Sequence, residues 1–323
     1  GQRWEIYDSE NSMLPEGGVN ALFVDMYGGK WLGTNEGLVY FNGADWSVYT
    51  EEEGLISKVI NDLSGAKNLV ETKLYISTNR GVSELLYDAS GLTHLISYQA
   101  EDSGLQSDSI TTIAVDSSVV YFASRVGLDI KSGDSLTFLD QISTHEGPVS
   151  LKRITSMAQT PHGWNYMGTV DAGVARLKYD VDGVTGASSF STEWSGLLSD
   201  QINDIHINEE GNQWYATAKG VAFHEGYETK DNWDTYTELS SELLSNMVHA
   251  VAEDSRGTTW AGTDRGISRF DGFSWWSYPF LDGISEYAVF DLDFDLDGSI
   301  WFATDFGLVH FDEAGIPDGI APQ

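Results

Sequence analysis

The stretch WAGTDRGISRFDGFSWWSYP, residues 260–279, decides the fold. An apolar run is broken by a Gly-Thr pair and by a polar turn ending in Gly266. A second run follows, and then an aromatic-rich one. Sliding WAGTDRG along the chain finds WLGTNEG at 31, YISTNRG at 75, YFASRVG at 121, YMGTVDAG at 166, WYATAKG at 214 and WFATDFG at 301. The fourth position marks the period: Thr34, Thr78, Ser124, Thr169, Thr217, Thr263 and Thr304, spaced 44, 46, 45, 48, 46 and 41 residues apart. Self-similarity at a fixed period of this size marks a repeat architecture and takes precedence over any division into domains.

Each unit reads as four short strands. In unit six these are MVHAVAED, TTWAGTD, GISRFDG and FSWWSYP. Unit one repeats the order as VNALFVD, GKWLGTN, GLVYFNG and DWSVYT. Short β-branched and aromatic runs punctuated by Gly, Asn and Asp are strand and hairpin signals. No 3.6-residue apolar period is sustained, so helices should be few. One such sheet cannot bury both faces, but seven packed radially can. The expected fold is all-β, a seven-bladed propeller of four-stranded antiparallel blades. With no linker or composition shift, residues 1–323 read as a single propeller.

The outer strands carry Trp-x-x-Tyr: Trp46 and Tyr49, Trp233 and Tyr236, Trp275 and Tyr278, with a looser Leu95 and Tyr98 in unit two. Unit seven runs from WFATDFGLVHF to GIPDGIAPQ without this pattern, whereas the chain begins RWEIYD with Trp4 and Tyr7. The N-terminal strand should therefore complete the seventh blade and close the ring, removing exposed sheet edges.

The recurring residues read as scaffold. Gly37, Gly81, Gly127, Gly173, Gly220, Gly266 and Gly307 close the turn between second and third strands. The marker hydroxyls should bond backbone at these turns. Trp31, Trp214, Trp260 and Trp301 should pack between blades. The residues before each glycine are not dictated by the scaffold: Asn35-Glu36, Asn79-Arg80, Arg125-Val126, Asp171-Ala172, Ala218-Lys219, Asp264-Arg265 and Asp305-Phe306. In a propeller these turns share a face with the connections EEEGLISKV, EDSGLQSDSI, STEWSGLLSDQI and ELSSELLSNMV. Arg80, Arg125, Lys219 and Arg265 collect there, although the chain has only 17 Lys and Arg. Cationic donors beside carboxylates and Asn suit an oligosaccharide, an acidic one in particular, and an Arg fork matches a carboxylate. Phe306 offers an aromatic face to a sugar ring. The competing reading is that these long cations relieve acidic repulsion.

The formal charge of −33 opposes binding to nucleic acid or an anionic membrane surface. The absence of cysteine excludes disulfides, thiolate metal sites and a cysteine nucleophile. No run approaches the roughly 20 apolar residues that span a bilayer. Nothing in GQRWEIYD reads as a signal peptide, which leaves the compartment open.

No catalytic motif emerges. The seven histidines form no metal-protease spacing, and there is no phosphate loop or nucleophile elbow. His206 and His249 lie on inner strands, where either could line the central channel. DLDFDLDG, residues 291–298, resembles a calcium loop in composition but lacks the Glu at position twelve and reads by phase as a strand and turn. Asp291, Asp293, Asp295 and Asp297 should share one side, where they repel unless solvated or bridged by a cation. No cofactor is called for, and calcium is the one metal considered. Asp295 falls in phase with Asp25, Asn208 and Asp254, each six residues before a Trp.

The consensus V-x-x-[IL]-x-x-D-x-x-G-x-x-W-x-[GA]-T-x-x-G-[LIV] resembles the two-component regulator propeller repeat. NALFVDMYGGKWLGTNEGL, HAVAEDSRGTTWAGTDRGI and FDLDFDLDGSIWFATDFGL follow it most closely. Units two to four depart, with Tyr75, Tyr121 and Tyr166 in place of Trp and an extra residue before Gly173. The resemblance implies a bacterial periplasmic or cell-surface sensor module, not an enzyme, that binds an oligosaccharide. The alternatives are a protein-docking or structural propeller and a metal-assisted polysaccharide or lactone lyase.

Overall fold

The computed structural model describes residues 3–67, 72–88, 91–116, 119–145, 147–180, 182–226, 232–281 and 284–312. Seven four-stranded antiparallel sheets follow one another around the ring, the first six running from inner to outer strand in chain order. The sixth blade consists of Val248–Glu253, Thr259–Thr263, Gly266–Phe270 and Trp275–Tyr278. In the seventh, Val289–Phe294, Ile300–Thr304 and Leu308–Asp312 are joined by Arg3–Tyr7, with Trp4 opposite Phe311 and Tyr7 opposite Leu308. The ring therefore closes through the N-terminal strand, as the Trp4 and Tyr7 phase predicts. The terminal stretch GIPDGIAPQ lies outside the described residues.

Second strands are buried almost throughout, because each is covered by the blades on both sides. Their tryptophans fill the seams. Trp31 lies 5.1 Å from Tyr87 of the next blade, and Trp301 meets Phe41 of blade one edge to face at 6.0 Å. The outer-strand aromatics continue this packing: Trp4 lies 4.2 Å from Phe311 and 5.5 Å from Tyr278 of the preceding blade.

The expected turn chemistry holds in every blade. Each marker hydroxyl donates across its turn to the glycine carbonyl, from 2.7 Å at Thr34 to 3.2 Å at Ser124. Glycine is required by two constraints. Gly266 has φ +125°, and a Cβ there would meet the Tyr278 carbonyl at 2.6 Å. At Gly307 a Cβ would lie 2.1 Å from the Tyr7 carbonyl, so the closing strand seats only on glycine.

The sequence did not indicate two insertions. A hairpin of Gln141–Thr144 and Gly147–Ser150 stands between blades three and four, and Phe280–Leu281 pairs with Ile284–Ser285 between blades six and seven. Among the described residues the only α-helix is the single turn Ala100–Ser103, and no helix is long and apolar enough to cross a membrane.

Candidate functional site

The topology places all seven second-to-third-strand turns on one face, with the connections that feed the inner strands. Four of these connections share a device. A serine hydroxyl accepts the N–H of a buried leucine two residues on and donates back to the carbonyl four residues earlier: Ser12 with Leu14, Ser103 with Leu105, Ser195 with Leu197 and Ser241 with Leu243. The leucine is the anchor. The loop around it stands out of the face, leaving Trp194 60% exposed.

The inner strands then enter the channel, and one residue at the start of each forms a ring: Asn20, Asn61, Thr111, Thr155, Asn203, His249 and Phe290. Five of these donate to a carbonyl of the next blade: Asn20 to Ile60 at 3.1 Å, Asn61 to Ile110 at 2.7 Å, Thr111 to Ile154 at 3.2 Å, Thr155 to Ile202 at 2.6 Å and Asn203 to Val248 at 2.6 Å. The same side chains thus latch seams and line a channel cavity of about 300 Å³. His249 and Phe290 instead meet edge to face at 5.7 Å.

A second tier sits one residue deeper. Asp62 accepts the N–H of Ile113 at 2.9 Å, Asp204 that of Val251 at 2.9 Å, and Asp291 that of Leu22 at 2.7 Å. Burial raises all three carboxyls above the ordinary aspartate range, against these hydrogen bonds. Burial also lowers His249, which favours its neutral form, while Asp264 opposes the shift. Of the two inner-strand histidines only His249 reaches the channel. His206 lines the seam between blades five and six, and burial lowers it as well.

The acidic run 291–298 has a structural account in part. Asp293 accepts the Val24 N–H at 2.7 Å, as Asp291 does that of Leu22, so both hold blade seven to blade one. Asp295 pairs with Lys30 at 2.5 Å and accepts the Trp301 indole N–H at 3.1 Å, and Asp297 accepts the Ser299 N–H. Carboxylates expected to repel are thus held apart by N–H donors and one ammonium. Among the described residues no group of three His, Asp or Glu side chains is arranged to hold a metal ion.

The predicted tip residues are exposed on the common face, apart from Phe306, but are not equally available. Asn35 accepts from Asn20, which ties turn to ring, and Asn79 accepts from Ser57. Glu36 pairs with Lys58, Asp171 with Arg153 at 3.3 Å, and Arg265 with Glu238 at 3.4 Å. Asp305 caps the Ala288 N–H, while Asp264 stands near His249. Phe306 leans edge-on against buried Tyr287 at 5.8 Å and belongs partly to the core. Among the described residues Arg80, Arg125 and Lys219 have no carboxylate within ion-pair distance.

Arg153 and Trp194 belong to this face and were missed. Arg153 precedes an inner strand, has the left-handed φ of 62° and shares a hollow of about 490 Å³ with Arg125. A non-glycine residue in that conformation is strained, and such strain concentrates at functional positions. Its signal was the cation in the connection before Ile154. That of Trp194 was an aromatic at a loop tip with no periodic partner.

Residues 242–265 match the two component regulator propeller family model. No curated protein matches significantly. Among solved structures, the extracellular domain assigned to the hybrid two component system BT3049 from B. thetaiotaomicron is 20% identical with a TM-score of 0.73, over 96% of this chain and 41% of that one. The extracellular domain assigned to the one component system BT4673 from the same organism is 18% identical with a TM-score of 0.70, over 95% of this chain and 39% of that one. A streptogramin B lyase is 11% identical with a TM-score of 0.72, over 96% of this chain and 97% of that one. At these identities the likenesses are of fold. The chain spans about two fifths of the length of the extracellular domains it matches. The matched segment lies in blade six, and its turn pattern recurs in the other blades of the ring.

Proposed function

We propose that this propeller is an extracytoplasmic recognition module that seats an oligosaccharide carrying an acidic group over the mouth of its channel. The observation carrying this reading is that Arg80, Arg125 and Lys219 project from one face without carboxylate partners among the described residues. The chain has 50 acidic residues against 17 basic ones, so three cations gathered on one face without a carboxylate partner among the described residues are a distinctive feature of that face. Around them lie what sugar recognition uses: amide and hydroxyl side chains at the ring, an exposed indole at Trp194, and a concave mouth. The solved relatives' extracellular setting supports the location, and two-component sensing supports the role.

The test is a glycan array that includes acidic oligosaccharides, read for the wild-type chain and for Arg80→Ala/Arg125→Ala. A specific acidic glycan should bind the wild type and lose at least about tenfold in the variant, or about 1.4 kcal/mol. Retained binding in the variant, or a blank across acidic and neutral sugars, overturns the reading.

A further inference from the structure

Two seams of this ring are built on one plan, and only one is complete. Where blade seven meets blade one, Trp301 donates its indole N–H to Asp295, and the ammonium of Lys30 lies 2.5 Å from that carboxylate and 4.4 Å from the Trp301 ring centroid. Lys30 is nearly fully buried, so an ammonium, a carboxylate and an indole face close together in a dry seam.

Where blade five meets blade six, the corresponding indole is Trp214. Its N–H goes to Glu253 at 2.9 Å, and Asn208, in the place of Asp295, donates to the other Glu253 oxygen at 2.8 Å. The residue in the place of Lys30 is Thr259. It likewise precedes the second-strand tryptophan and pairs opposite Glu253, as Lys30 pairs opposite Val24. Thr259 is fully buried, and its hydroxyl has no hydrogen-bond partner. This seam keeps the indole and the carboxylate but has no lysine ammonium.

Beside this indole and carboxylate the seam opens into a cavity of about 930 Å³ lined by Trp214, Phe223, Tyr236 and Phe270, with Glu253 inside and Asp234 at the rim. The Phe223, Tyr236 and Phe270 side chains are half-buried and line this space. The nearby Arg256 is bound to Asp254 at 2.9 Å. Aromatic faces around a partly desolvated carboxylate attract a cation that can shed water and lie against rings.

We infer that this cavity binds an organic cation, a primary ammonium borne by a free amine or by a lysine side chain, which takes the place that Lys30 fills in the other seam. The cavity opens at the hairpin turns 207–213 and 253–258, on the face opposite the oligosaccharide site proposed above. The two proposals therefore stand or fall separately.

Calorimetric titration of the intact chain with 1,5-diaminopentane, a tri-lysine peptide and neutral 1-pentanol tests it. At least one ammonium probe should bind and pentanol should not. Glu253→Gln should weaken binding at least about tenfold. Thr259→Lys, which supplies the missing ammonium internally, should abolish it while keeping a cooperative melt. Peptide binding tighter than diamine assigns a protein-borne lysine, and the reverse assigns a free amine. If Thr259→Lys fails to fold, Glu253→Gln decides. Overturning results are no binding of either ammonium probe, pentanol binding as well as the amines, or unchanged affinity in Glu253→Gln or in a folded Thr259→Lys.

Discussion

Trp31 and Trp260 hold the same place in their repeats, and both are fully buried, yet replacing each by Phe should have unequal consequences. The Trp31 indole N–H donates to Asp25 at 3.0 Å, a carboxylate that also accepts backbone N–H groups within its hairpin turn. The Trp260 indole N–H has no partner, because Asp254, its equivalent of Asp25, is taken by Arg256. Trp→Phe removes the same volume at both sites, so the packing cost largely cancels in the comparison. At Trp31 it also removes a hydrogen bond to a charged group, about 1.5–3 kcal/mol. At Trp260 it removes a buried donor with nothing to bond, a relief of about 1–3 kcal/mol. Trp31→Phe should therefore cost roughly 4 kcal/mol more than Trp260→Phe, within a range of about 2.5–6. Urea unfolding of both variants at pH 7, compared through midpoints at matched slopes, measures the difference. Equal losses, or a larger loss at Trp260, would refute the assignment of the indole hydrogen bonds.

Three further outcomes follow from the packing. Lys30→Met breaks a buried ion pair and leaves Asp295 uncompensated, so it should cost about 3–5 kcal/mol, read by the same unfolding assay. Deleting residues 1–7 exposes the edge of Leu308–Asp312, and light scattering should then show association where the intact chain is monodisperse. Asp62, Asp204 and Asp291 have folded-state values raised by burial above the ordinary 3.8, so each favours the folded state less once ionised. As pH falls from 8 toward 4, wild type should therefore gain stability relative to the triple Asp→Asn variant, and parallel pH–stability curves would contradict this.

Much of the architecture was legible because it repeats. Seven copies of one turn revealed the period, and the Trp4 and Tyr7 phase revealed the closure. Single-site chemistry was less legible because it depends on neighbouring blades. The position six residues before the tryptophan, whose phase the sequence shows, serves the indole N–H at Trp31 and Trp301. It fails at Trp214, where position 208 is Asn and Glu253 reaches across the seam. It fails at Trp260 because Arg256 competes for Asp254. The latch ring was hidden for a related reason. Asn20, Asn61 and Asn203 look like ordinary polar residues along one strand, and only radial stacking brings each to the next blade's carbonyl. The turn-tip residues were correctly grouped on one face by topology, but which of them lack partners depended on Lys58, Arg153 and Glu238 from the connections.

The most direct test of the recognition account is hydrogen–deuterium exchange of the whole chain with and without a saturating acidic glycan identified on the array. Protection confined to turns 78–81, 124–127 and 217–220, the connection 191–198 and the first residues of the inner strands is the predicted result. Protection at the opposite hairpin turns alone, or no change anywhere at saturation, would contradict it.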